Sequence, residues 1–402
     1  MIFCEDKNAP DSVRASPLYP ALSEYCTSND WSSVNGVAYA RRFSSLIEEY
    51  DAIWSGLAVL DLSMLSRVSF KGPDAAACIA RLSSAPCKEL HQFESGRGLI
   101  LNAAGHVCDL CEVTRLGDTL FILTMSRSNY RRIAAATEGL DVAVEDLSGS
   151  VGALGLFGPN ARSAAKDLGF ELEPDETAMS GQIRGVDSLS KPTAIGRVIG
   201  VELIFPQQEA LTIWERISSL FTPTPVGLHA AQALRLEGGT PCPGADFTSA
   251  DDAASSLGLT PSEIGLPHLA PVNRAWFTGR TGLQEREVKR QLVSVMSDIA
   301  SLEPGARVFL RDGDKQNRGG PQIGILRSSA YSPYFRGTVG MVDVEIEALG
   351  KQFDRKDERV KSGTTFSIQL PKAGQVADAS LIETHEQRLA SSYRERLFAA
   401  TE

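Results

Sequence analysis

No run in the sequence approaches the ~20 consecutive apolar residues that a bilayer-spanning helix needs, which argues against a membrane protein. Basic residues are not in excess: 40 Lys and Arg against 50 Asp and Glu give a net charge of −10 and a pI near 5.2. A surface that tracks nucleic-acid phosphates is therefore not expected, and a small molecule is the expected partner. The seven cysteines are scattered, and only Cys108 and Cys111 have C-x-x-C spacing. Without a second pair or a nearby His pair, a tetrahedral zinc site lacks its ligands, so no metal is expected. The opening MIFCEDKNAP has no basic segment followed by an apolar one, and the expected location is a reducing cytoplasm. Nucleotide devices are missing too: there is no G-x-x-x-x-G-K-S/T loop, and Gly152, Gly155 and Gly158 do not have G-x-G-x-x-G spacing. Neither H-E-x-x-H nor G-x-S-x-G occurs, so a zincin or a nucleophile-elbow hydrolase has no support.

What is present is an ordinary globular composition, 43% hydrophobic and 22% charged over 402 residues, long enough for two or three domains. Residues 1–15 are polar and Pro-interrupted and read as a loose lead-in. In RRFSSLIEEYDAIW, Phe43, Leu46, Ile47, Tyr50 and Ile53 recur at three and four residues, predicting a helix over 41–54. Strands follow at Leu57 to Leu62 and Arg67 to Phe70, then a turn at Gly72-Pro73-Asp74, with Asp74 placed to cap the alanine-rich helix behind it. Three apolar stretches between Gly98 and Leu123, separated by turn residues, predict an antiparallel meander. Gly158-Pro159-Asn160-Ala161 echoes Gly72-Pro73-Asp74-Ala75 and hints at a duplicated strand–turn–helix unit, again with Asn160 as cap. VIGVELIF (198–205) reads as a strand, followed by helices in QQEALTIWERISSLF and VGLHAAQALRLE, and Gly244 to Ser256 reads as flexible. Beyond Gln291, short strands alternate with Gly and Pro turns, as in a small β-barrel or sandwich, and SLIETHEQRLASSYRERLF reads as an exposed amphipathic helix.

Two places break the apolar pattern. In LILNAAGHVCDLCEV, Asp109 and Glu112 occupy a strand that otherwise prefers apolar groups, with His106 in the turn before it. Asp109 is either a solvent-facing strand residue or a buried carboxylate whose pKa is set by desolvation and neighbours. His106 is either a surface turn residue or a proton shuttle near that carboxylate. Glu202 interrupts Val198, Ile199, Val201, Leu203, Ile204 and Phe205. Strand alternation could point it outward; if both faces are covered, the charge needs a partner. A ligand edge with two adjacent N–H donors, such as that of a 2-amino-4-oxopteridine, would satisfy both oxygens.

Taken in order, Ser16-Pro17-Leu18-Tyr19, Leu60-Asp61-Leu62-Ser63, Lys71-Gly72-Pro73-Asp74-Ala75, Asn102 to Asp109, Gly158-Pro159-Asn160-Ala161, Gly200-Val201-Glu202-Leu203, Leu234-Arg235-Leu236-Glu237, Pro261 to Leu266, Phe277-Thr278-Gly279-Arg280 and Tyr331-Ser332-Pro333 form a pattern. It resembles the aminomethyltransferase (T-protein) family of the glycine cleavage system. That family includes tetrahydrofolate-dependent demethylases and the folate domains of sarcosine and dimethylglycine dehydrogenases. The resemblance covers most of residues 16–371. It implies an α+β fold, a three-domain cloverleaf around a central folate channel with a C-terminal β-barrel. The expected domains are a discontinuous folate-binding α/β domain (16–68 and 145–265), a second α/β domain with the meander (69–144), the barrel (283–372) and a C-terminal helix (373–402). Tetrahydrofolate is the implied cofactor, with Glu202 on the pteridine edge and Ser126, Met64 and Arg235 as further cofactor contacts. Asp109 is the implied catalytic carboxylate beside the reactive folate nitrogens, with His106 assisting the leaving group.

Departures narrow the reaction. The family's paired Asp reads Asp109-Leu110 here, so Asp109 corresponds to either member of the pair depending on a one-residue gap. D-V-S-H-M reads Asp61-Leu62-Ser63-Met64-Leu65, the Tyr expected before the meander is absent from GRGLIL, and G-A-R-D reads His229-Ala230-Ala231-Gln232. These changes argue against glycine cleavage itself. A methyl group leaving oxygen benefits from an acid, whereas one leaving a sulfonium does not, so His106 favours an ether or amine donor. The expected activity is a tetrahydrofolate-dependent methyl transferase, a demethylase of a small O-, N- or S-methylated compound. The alternatives are transfer onto a biosynthetic intermediate, or a non-catalytic folate-binding protein. Relatives of the latter kind carry K-G-C-Y-x-G-Q-E where this chain has Phe277 to Gly282 without cysteine. No nucleic-acid or membrane partner is expected, and a homo-oligomer is left open.

Overall fold

The structure, a computed structural model, describes residues 4–6, 12–171, 177–251, 258–274, 276–284, 287–299, 301–311, 322–355, 358–370 and 375–383. Two compact units emerge: Phe3–Ile100 with Asp109–Ala231, and Leu101–Cys108 with Gln232–Glu402. The chain runs through α1 (Tyr19–Leu22), β1 (Asp30–Val34), β2 (Val37–Arg42), α2 (Leu46–Ser55), β3 (Ala58–Asp61), β4 (Ser66–Lys71) and α3 (Ala75–Leu82). Next come β5 (Ser95–Leu101), β6 (Val107–Arg115), β7 (Leu120–Met125), α4 (Tyr130–Thr137), β8 (Ala143–Asp146), β9 (Val151–Phe157) and α5 (Ala161–Asp167). β10 (Met179–Ile183), β11 (Val186–Ile195), β12 (Val198–Pro206), α6 (Ala210–Leu220), β13 (Thr224–Pro225) and α7 (Leu228–Gly238) follow.

One six-stranded sheet has the order β10-β11-β12-β9-β3-β13, and a five-stranded sheet has the order β5-β6-β7-β4-β8. The expected meander is β5-β6-β7. Val201, Leu203 and Phe205 on one face of β12 pack with Leu154 and Leu156 of β9 against alanines of α5 and Ile213, Trp214 and Ile217 of α6. Because side chains alternate along a strand, residues 200, 202 and 204 of β12 occupy the opposite face. Gly158 shows why the strand-to-helix turn requires glycine: its φ is +102°, and a Cβ there would lie 2.6 Å from the Gly56 carbonyl oxygen.

The second unit contains α8 (Arg280–Gln284), β14 (Arg290–Ser297), β15 (Arg307–Leu310), β16 (Gln322–Ser332), β17 (Gly337–Glu345), α9 (Ile346–Leu349), β18 (Phe353–Asp354), β19 (Arg359–Val360), β20 (Thr365–Gln369) and β21 (Val376–Leu381). Strands β14-β17-β16-β15-β20-β21 close into a barrel filled by Val293, Val295, Leu326, Val342, Val344, Phe366 and Ile368. The chain is thus a mixed α+β protein with a C-terminal closed β-barrel.

Several sequence expectations change. The helix read from 41 begins at Leu46, because Ser45 and Glu48 form a reciprocal capping box there while Arg41 and Arg42 extend β2. Neither Asp74 nor Asn160 makes a side-chain cap; Asp74 instead accepts from the Asp141 N–H at 2.9 Å. Glu5 and Asp6, inside the stretch read as loose, are tied to the first hairpin: Arg41 pairs with Glu5, and the Asp6 N–H donates to the Ser33 carbonyl. In the stretch read as flexible, Gly244 to Phe247 form a closed turn with Asp246 buried, while residues 252–257 lie outside the described residues. The C-terminal helix read over 373–402 is replaced at Val376–Leu381 by a barrel strand, whose Ala377 and Ala379 alternate inward; residues 384–402 lie outside the described residues. A period of two decides that segment, and its apolar members are too small to stand out in a sequence.

Candidate functional site

Glu202 of β12 stands opposite Lys191 of β11 and Gly155 of β9, on the sheet face turned away from α5 and α6. It has no exposed surface, so the outward-pointing alternative does not hold. Two cations flank its carboxylate. Arg67 Nη2 donates to Oε1 at 2.5 Å, and Lys191 Nζ lies 3.1 Å from Oε2. Lys191 also pairs with Glu112 of β6, so charges alternate along Arg67, Glu202, Lys191 and Glu112, and only Glu112 reaches solvent appreciably. Burial is the strongest single influence on Glu202 and pushes its pKa up, but Lys191 and Arg67 together outweigh it and hold the carboxyl below its usual range. Burial likewise works against charge on Lys191, and Glu112 and Glu202 overcome it, raising its pKa. Apart from this ion pair with Lys191, no hydrogen bond reaches the buried Oε2 among the described residues. A carboxylate oxygen accepts in two directions, so this atom has acceptor capacity left for an N–H.

The Phe157 ring packs on that face. A Cβ on Gly155 or on Gly200 would lie 2.5 Å from the Phe157 ring, so the ring rests close against both glycines beside Glu202. Arg67 uses its other arm on the turn between β3 and β4: Nη1 donates to the carbonyls of Leu62 at 3.0 Å and Leu65 at 3.3 Å. Met64 is buried in this turn, and its carbonyl accepts from Asn35 Nδ2 at 3.0 Å. The same amide donates to the Ser126 carbonyl, and Ser126 Oγ donates to Asp109. Met64, Ser126, Asp109 and Glu202 therefore belong to one connected network within the first unit.

Asp109 has no exposed surface and also accepts from Asn129 Nδ2 at 2.8 Å and from the backbone N–H groups of Leu110 at 2.8 Å and Arg127 at 3.3 Å. Burial nevertheless prevails over these donors and raises its pKa to about 6. A carboxylate that titrates there is ionised at neutral pH yet close to exchanging its proton.

His106 and Arg235 lie in the second unit. His106 ends an Asx turn in which Asn102 Oδ1 accepts from the N–H groups of Ala104 and His106, each at 3.0 Å. Its imidazole is buried rather than on the surface, and Gly258 packs so near that a Cβ there would fall 2.6 Å from the ring. Arg235 donates to Gln232 Oε1 at 2.8 Å, the Thr240 carbonyl at 2.8 Å and Asp246 at 2.5 Å, with a longer 3.4 Å contact to Ser328.

Arg67, Lys191, Asn35 and Asn129 are not singled out by the sequence. Arg67 and Lys191 look like ordinary outward members of alternating strands, and only the β11–β12 register shows Lys191 facing Glu202.

A mixed α+β chain that ends in a closed barrel is a fold shared with a known enzyme. The crystal structure of glycine cleavage system aminomethyltransferase T from Bartonella henselae superposes with a TM-score of 0.78 over 93% of this chain and 98% of that one, at 21% identity. Among curated proteins, the chain is 26% identical over 336 residues to an aminomethyltransferase of Staphylococcus carnosus (strain TM300), covering 80% of this chain and 88% of that protein. It is also 26% identical over 330 residues to one from Desulfitobacterium hafniense (strain DSM 10664 / DCB-2), covering 78% and 86%. The family model described as the GCVT N-terminal domain matches residues 23–260. This chain belongs to that aminomethyltransferase family.

Among the described residues, no helix is long and apolar enough to cross a membrane.

Proposed function

We propose that this protein binds tetrahydrofolate and transfers a one-carbon unit, a methyl group, to it from a small O-, N- or S-methylated compound. Family membership supports the general chemistry, folate-dependent one-carbon transfer. The cloverleaf with a central folate channel is part of the same reading. The observation that carries the folate assignment is Glu202, a fully buried carboxylate whose Oε2 makes an ion pair with Lys191 and no further hydrogen bond among the described residues. Its remaining acceptor capacity suits the paired N–H groups of a 2-amino-4-oxopteridine. Gly155 and Gly200 let the Phe157 ring pack beside Glu202, and in this reading that ring is a neighbour of the pterin.

In this reading Glu202 anchors the pterin edge, while Met64 and Ser126 line the cofactor from their turns. Arg235 is a further cofactor contact in this reading. Tetrahydrofolate, when bound, supplies the nitrogen that accepts the one-carbon unit. Asp109 places negative charge where positive charge develops, and its four donors hold it in one orientation. His106 delivers a proton to the departing heteroatom of an ether or amine donor. The single Asp in Asp109-Leu110, the missing His in Asp61-Leu62-Ser63-Met64-Leu65, the missing Tyr in GRGLIL and His229-Ala230-Ala231-Gln232 in place of G-A-R-D are together the reason for preferring demethylation to glycine cleavage.

The test is a screen of methylated amines, ethers and sulfonium compounds for tetrahydrofolate-dependent methyl loss. Turnover of an ether or amine, with methyltetrahydrofolate as product, supports the reading. Folate binding without turnover of any class would make the protein a folate-binding module instead.

A further inference from the structure

We propose that Asn35 is a positioning residue for Asp109: its amide clamps the turn that carries Met64 to the loop that carries Ser126, and so keeps the Ser126 hydroxyl on the Asp109 carboxylate. The inference rests on the role given to Asp109 above, and its test reads Asp109 directly.

Asn35 and Gly36 are the two-residue connection between β1 and β2, with Val34 paired to Val37 across it. Both have positive φ, +52° and +69°, the geometry of a tight hairpin turn for which Asn-Gly is the favoured pair. A turn of this kind would normally present the Asn side chain to water. Here Nδ2 spends its donors on two carbonyls distant in sequence, those of Met64 and Ser126. The turn itself is pinned from the other side: Asp6 accepts from the backbone N–H groups of Asn35 and Gly36, each at 3.0 Å, and from Ser33 Oγ at 2.6 Å. A rigid hairpin tip is therefore inserted between the two loops that the proposed cofactor contacts occupy. Ser126 is held at both ends, its carbonyl by Asn35 and its hydroxyl by Asp109. Removing the first hold frees the second.

The Asp109 carboxylate is faced by Arg127 on the loop after β7 and by Cys111 on its own strand, besides Ser126 and Asn129. Of these, Ser126 is the strongest influence opposing the effect of burial. Losing its hydroxyl contact raises the Asp109 pKa further.

Asn35→Gly preserves the turn, since Gly-Gly also adopts it, and removes only the side-chain clamp. The measurement is the titration of the Asp109 carboxyl by carbon NMR in the unliganded protein, for wild type and variant. The midpoint is expected to move above that of wild type, and the acid limb of the activity profile to move with it. Turnover should fall by about tenfold to a hundredfold with a smaller change in KM. An unchanged midpoint in a folded Asn35→Gly protein overturns the inference, whatever its thermal stability. Should that variant fail to fold, Asn35→Ser, which removes the amide without adding a charge, takes its place with the same two outcomes. Because the NMR titration needs no folate, a shifted midpoint in a protein that proves not to bind folate would retain the clamp and remove the folate reading.

Discussion

Lys191 Nζ lies 3.1 Å from Glu202 Oε2 across the β11–β12 ladder, with both side chains shut away from solvent. The pair makes sense only as part of the longer chain of charges, because a lone ammonium or carboxylate at that depth would shed its charge. Arg67 completes the compensation from the neighbouring sheet and Glu112 ends it near solvent.

Lys191→Met is the first consequence. It leaves Glu202 with Arg67 alone and Glu112 without its cation, and is expected to cost roughly 3–5 kcal/mol, the range for breaking one member of a buried pair. Chemical denaturation measures this. Lys191→Arg should recover most of the loss, and a Lys191→Met protein as stable as wild type would show that the chain of charges is not a supporting element.

The two buried carboxylates titrate in opposite senses. Glu202 is held below its ordinary pKa, so the stability it contributes is present above the unfolded value and is lost as pH falls through the folded one. Asp109, raised to about 6, contributes stability that is complete below the unfolded value and is lost as pH rises through about 6. Asp109→Asn should therefore flatten the stability profile between about pH 4 and about pH 7, and denaturation at a series of pH values reads it. A slope in that window equal to wild type would assign the titration elsewhere.

Activity should show the same group. If Asp109 works as an anion, turnover rises with pH through about 6, and Asp109→Asn removes the limb together with most of the rate while folate still raises the thermal midpoint. Full activity in Asp109→Asn would rule out its role.

Gly200→Ala probes the packing of Phe157 beside Glu202. The new Cβ would stand 2.4 Å from the Leu156 carbonyl oxygen and 2.5 Å from the Phe157 ring, so the ring and strand must shift. Overpacking of this kind costs roughly 1–3 kcal/mol, and folate affinity should fall beyond what the lost stability accounts for. Equal folate affinity in wild type and variant would separate Phe157 from the site.

Much of the architecture is legible in the sequence because it rests on local patterns: the meander between Gly98 and Leu123, the Gly-Pro turns, and the short strands of the barrel all have period-two alternation or turn chemistry. Glu202 and Asp109 are legible for the opposite reason, as charges that break such patterns. Their partners are not. Lys191 acquires its meaning from strand register, Arg67 from a turn whose carbonyls it caps, and Asn35 from a hairpin tip meeting loops about thirty and ninety residues away. Except for the hold of Arg67 on the nearby carbonyls of Leu62 and Leu65, these contacts join segments far apart in the chain. The barrel strand at Val376–Leu381 is missed for a related reason, since two inward alanines carry too little hydrophobic signal to outweigh the helical pattern beyond them.

A crystal structure of the protein with tetrahydrofolate bound tests the central claim most directly. The account predicts the pyrimidine edge of the pterin on Glu202, with Oε2 accepting an N–H while Arg67 and Lys191 stay in place. A vitamin bound elsewhere, with Glu202 contacting only its two cations, would contradict it.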